Sequence, residues 1–89
     1  MNQIENTLYE LYFAAEFNYQ TADQKRAQVD AYRSIEWYVN TCRASAQWCK
    51  ALAKAKPITL LKHILKSDDQ SVDGQIAATT KYLARYCGL

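Results

Sequence analysis

Six basic side chains, Lys25, Arg26, Arg33, Arg43, Lys50 and Lys54, recur at spacings that place them broadly on one side of a continuous helix. A basic stripe that tracks a phosphate backbone has this form, and Arg33, Arg43, Lys50 and Lys54 would carry it. Glu36 interrupts the row, and the formal net charge of the chain is only +2. A strong nucleic-acid footprint brings more charge than that. A solvated helix face is the simpler reading, and nucleic-acid binding stands as the alternative.

The run Asp69-Gln70-Ser71-Val72-Asp73-Gly74-Gln75-Ile76 resembles the start of a calcium loop. Its Asp, Ser, Asp and Gly fall at loop positions 1, 3, 5 and 6. Calcium also needs a bidentate carboxylate at position 12, and Thr80 stands there instead. Capping of a helix N-terminus explains the same Ser and Asp residues without a metal.

Cys42, Cys49 and Cys87 make an odd number of thiols, which argues against a closed disulfide framework. On one helix, Cys42 and Cys49 would share a face about 10.5 Å apart along the axis. That exceeds disulfide reach and strains shared zinc ligation. His63, the sole histidine, completes no recognisable zinc spacing with them. Buried small apolar residues are the better reading of the cysteines. No glycine-rich phosphate loop, nucleophile elbow or paired carboxylates in one cleft can be placed. The expectation is a protein that is not an enzyme, with no catalytic residues, no cofactor and no metal.

The elements that must position these residues are helical. From Met1 to Lys56 the chain has neither Gly nor Pro, the strongest local punctuation, and is rich in good helix formers. Asn2-x-x-Glu5 and Thr21-x-x-Gln24 are capping-box signatures, so helices are expected over about Gln3–Gln20 and from about Ala22. The second has no evident stop before Ala55-Lys56-Pro57, although Asn40-Thr41 is a weak spot. Pro57 opens a short helix to about Lys66. A last one runs from Ser67-Asp68-Asp69-Gln70 or Ser71 to Tyr86 or Cys87, with Gly88 just beyond it. The fold class is all-α: one domain over residues 1–89, a small bundle of about four helices with one long central helix. That central helix would be about 50 Å long at 1.5 Å per residue, longer than a compact chain of this size is wide. It must bend or break near Asn40, or overhang and be covered by a second chain.

The first helix carries Ile4, Leu8, Leu11, Tyr12, Ala15 and Tyr19 on a core stripe, and Tyr9, Phe13 and Phe17 on roughly the opposite side. The second carries a seam through Ile35, Tyr38, Cys42, Cys49 and Leu52, and another line through Trp37 and Trp48. Those tryptophans are eleven residues apart, about three turns, and would point the same way. A domain this small has more apolar helix surface than one bundle face requires. Charge is uneven too. Residues 1–24 carry four acids and no base, whereas residues 25–66 carry nine Lys or Arg against Asp30 and Glu36.

These features together describe a small non-enzymatic interaction protein, an adaptor, regulator or inhibitor that presents a helix face to a protein partner. Its anchors are expected at Tyr9, Phe13, Phe17, Trp37 and Trp48. A homodimer is expected as well, acidic segment against basic segment. No stretch is long and apolar enough for a membrane span and the N-terminus lacks signal-peptide character, so the expected setting is the cytoplasm, without membrane contact.

Overall fold

A computed structural model describes residues 3–89 of the chain. Among the described residues there are five helices and no strand: α1 (Gln3–Phe17), α2 (Ala22–Asn40), α3 (Ala46–Leu52), α4 (Pro57–Leu65) and α5 (Val72–Tyr86). The all-α class is as the sequence indicates, but the long central helix is not formed. The molecule measures 34 × 28 × 24 Å, too short for an unbroken helix from Ala22 to Ala55.

The break lies at the weak spot. Thr41 turns its hydroxyl back onto the Trp37 carbonyl at 2.7 Å. Cys42 then takes a left-handed conformation, φ 60°, and the Arg43 and Ala44 amides both donate to the Tyr38 carbonyl at 3.2 Å. This is helix termination by a left-handed residue, with Cys in a place that usually takes Gly. Ser45 starts the next helix, its hydroxyl accepting from the Trp48 amide at 3.1 Å.

The other boundaries are local capping events. The Asn2 cap lies outside the described residues. α1 stops at Phe17 rather than Gln20, and Thr21 caps α2 by accepting from the Gln24 amide at 3.0 Å. Pro57 occupies the first turn of α4, where its missing N–H costs nothing. Ser71, not Ser67, caps α5 by accepting from the Gly74 amide at 3.1 Å.

One apolar cluster joins all five helices. Leu11, Ile35, Leu52, Leu60, Leu61, Ile64 and Leu83 are each at most 1% exposed, and burial of each such side chain is worth roughly 1.5–3 kcal/mol. α1 packs on α2, α3 and α4, and α5 closes the far side against α2, α3 and α4. On α1 only the line Thr7, Leu11, Ala15 is buried. The opposite side of that helix is left to solvent.

Candidate protein interface

The outward side of α1 is an aromatic ridge. Tyr9 is 61%, Phe13 42% and Phe17 67% exposed, one turn apart as the i, i+4, i+8 spacing requires. Their rings pack along the helix, with Tyr9 to Phe13 at 4.7 Å and Phe13 to Phe17 at 5.4 Å between centroids. Each supports its neighbour, and none is covered from outside.

Both flanks of the ridge are shaped. Towards α4, Glu10, Phe13, Phe17, Pro57 and Ile58 line a cleft of about 360 Å³. Towards α2, Leu8, Tyr9, Tyr12, Tyr32 and Asn40 contribute to one of about 440 Å³. The Tyr12 ring meets Tyr32 edge-on at 5.6 Å, and the Tyr32 hydroxyl donates to Glu36 Oε2 at 2.7 Å. Burial first, and the Glu36 carboxylate second, push the Tyr32 phenol up to about 12. It is a neutral donor at any ordinary pH.

Tyr9, Phe13 and Phe17 therefore sit together, as the spacing predicts. Trp37 and Trp48 do not. Because the helix breaks between them, Trp37 stays at the surface while Trp48 turns into the core, 4% exposed. The Trp48 indole packs edge-on to Tyr38 at 5.0 Å and its N–H donates to the Thr80 hydroxyl at 3.0 Å. It joins α3 to α5 and offers no outward face. Trp37 is instead covered on one side by the Arg43 guanidinium, 4.9 Å from the ring. Tyr12 and Tyr19, assigned to the core stripe, are both partly outside it. The sequence reading missed Ile58, 42% exposed beside the ridge. Its place directly after a helix-opening proline was the available signal.

The basic residues do not share one helix. Arg33 lies on α2, Arg43 in the α2–α3 connection, Lys50 on α3 and Lys54 just beyond it. Lys50 and Lys54 border a cleft shared with Cys87, well separated in chain order from the other two. Lys25 is neutralised locally by Glu16 at 3.3 Å.

The calcium-like loop is a capping structure. Asp69 Oδ1 accepts from the Ser71 amide at 3.0 Å, and hydrogen bonds from Ser71 hold the Asp69 carboxyl below the usual range. Gly74 is needed for close approach, since a Cβ there would lie 2.3 Å from the Asp69 carbonyl oxygen. Among the described residues no group of three or more His, Cys, Asp or Glu is placed to hold a metal ion.

Cys42 and Cys49 do not share a helix face, because Cys42 lies in the break and is exposed while Cys49 is half-buried on α3. Burial pushes the Cys49 and Cys87 thiols up, disfavouring thiolate. His63 borders a cleft of about 560 Å³ with Lys66, Asp68, Asp69 and Lys81, its ring 5.6 Å from that of Tyr82. No helix among the described residues is long and apolar enough to cross a membrane. No family model, curated protein or solved structure matches the chain.

Proposed function

We propose that this chain is a non-enzymatic interaction protein of the cytoplasm, an adaptor, regulator or inhibitor, and that its working surface is the aromatic ridge of α1. The observation that carries this reading is the continuous exposure of Tyr9, Tyr12, Phe13 and Phe17 with Ile58 beside them. Single exposed apolar residues are ordinary, but a contiguous run of aromatics is the usual mark of an interaction surface. Burial of each ring against a partner is worth roughly 1.5–3 kcal/mol before the cost of association. Aromatic side chains also dominate binding hot spots. Phe13, at the centre of the ridge, is the principal anchor and Phe17 the next. Nucleic-acid contact through Arg33, Arg43, Lys50 and Lys54 has weaker support, since those cations are dispersed over separate elements.

Photocrosslinking tests the reading. A benzophenone side chain in place of Phe17 should give discrete protein adducts in the native host, whether with a second copy or another protein. The same group in place of the exposed Ala84 on α5 should not. Equal labelling from both positions would refute an interface on α1.

A further inference from the structure

The connection between α3 and α4 gathers cations around two hollows that share no residue with the ridge. After α3 the Lys54 and Ala55 amides close a tight turn, donating to the Ala51 and Leu52 carbonyls at 3.0 Å. Lys56 is then extended, and Pro57 opens α4. The end of α5 packs alongside this turn. Lys54, Lys56, Thr59, Tyr86 and Cys87 line a cleft of about 300 Å³. Lys50, Lys54 and Cys87 line another of about 290 Å³. Lys54 and Cys87 belong to both, so the two clefts adjoin. All three lysines are exposed. Among the described residues, no Asp or Glu lines either cleft. Lys25 has its partner in Glu16, whereas none of these three lysines is in an ion pair among the described residues.

Like charges around adjoining hollows repel one another, and clefts lined by one sign of charge concentrate the opposite ion. Lysine meets phosphate as a compact point charge with three donors. Thr59 and Tyr86 add hydroxyl-bearing side chains from α4 and α5. Burial pushes the Cys87 thiol up, so it stays neutral and brings no competing charge. The volumes lie at the lower end of small-molecule sites, roughly 300–1,000 Å³. A single carboxylate would offset only one of the three charges. A nucleic-acid strand would run on past the clefts, but Arg33 and Arg43 stand on other elements. A small molecule with two linked phosphoryl groups offsets all three lysines at once. We propose that the clefts around Lys50, Lys54 and Lys56 are a binding site for a small diphosphate-bearing ligand. One phosphoryl group occupies each cleft, with Lys54 between them.

Calorimetric titration of the whole chain with inorganic pyrophosphate at low ionic strength tests the site, with circular dichroism confirming that each variant folds. Pyrophosphate should bind once per chain and weaken as salt is added. Orthophosphate, which fills one cleft only, should bind at least about tenfold more weakly. Lys54→Gln should weaken pyrophosphate roughly tenfold or more, with smaller losses from Lys50→Gln and Lys56→Gln. Lys62→Gln removes the same charge outside both clefts and should change nothing. A nucleoside diphosphate presents the same group. Tighter binding than pyrophosphate would support a nucleotide as the ligand, and equal binding the bare diphosphate. Four results would overturn the proposal: no binding of pyrophosphate; orthophosphate as tight as pyrophosphate; Lys62→Gln as damaging as Lys54→Gln; or displacement by a single-stranded oligonucleotide that binds more tightly through the same lysines, which signals nucleic acid. The docking role of α1 is judged separately, by the adducts formed at position 17.

Discussion

The side-chain amide of Gln28 donates to the Asn18 carbonyl at 3.1 Å, reaching from α2 across the turn to the end of α1. The same nitrogen donates to the Ala15 carbonyl at 3.2 Å. α1 has no glycine and no basic residue in its last turn, and one of its last carbonyls, that of Ala15, is capped by a side chain from the next helix. That contact ties the C-terminal end of α1 to α2, at the seam beside which the ridge stands. Gln28→Leu should cost about 1–3 kcal/mol, because it strands two carbonyls in a largely buried place. Urea denaturation would show the loss as a lower midpoint at unchanged slope.

The tryptophans should behave oppositely. Trp48→Ala removes a buried ring and its hydrogen bond to Thr80, and should cost about 3–5 kcal/mol. Phe17→Ser, on the exposed end of the ridge, should change stability by no more than about 0.5 kcal/mol. In wild type, acrylamide should quench a red-shifted emission from Trp37, and Trp37→Phe should leave only the blue-shifted, protected emission of Trp48.

Cys42→Gly should stabilise the chain by up to about 1 kcal/mol. A side-chain-bearing residue in the left-handed region costs about 1–2 kcal/mol, and glycine returns part of that through its freer unfolded state. Thermal unfolding would reveal the gain. A loss would mean that the Cys42 side chain supports the α2–α3 break.

Much of this architecture is legible from residue order, and what is not has identifiable causes. Thr21, Ser71 and Pro57 announce helix starts through chemistry contained within a few residues. The Ser45 cap is hidden because Trp48, three residues on, is not the Glu or Gln that completes a capping box. The stop at Cys42 is hidden because a non-glycine residue in the left-handed region carries no signature of its own. Missing that stop carries through to the site: Trp37 and Trp48 share a face only if the helix between them is continuous. The Tyr9, Phe13, Phe17 line lies within a single uninterrupted helix, so its periodicity alone was enough.

Alkaline pH should loosen the seam between α1 and α2. Tyr32 ionises at about 12 in the folded chain against 10.0 ordinarily. Because the folded value is the higher one, its stabilising effect is complete below pH 10 and is lost as the pH rises from there to about 12. Phenolate absorbance should show this late-titrating tyrosine, and Glu36→Gln should bring its titration earlier by removing the carboxylate that accepts from it.

The proposed docking side of α1 is exposed, and folding should not depend on it. Sedimentation velocity and thermal melting of the Phe13→Ser, Phe17→Ser double variant test this together. The melting curve should stay close to wild type, and in extract of the native host the labelled variant should shift from the bound form to the free chain. Association that persists unchanged in a folded variant would contradict it.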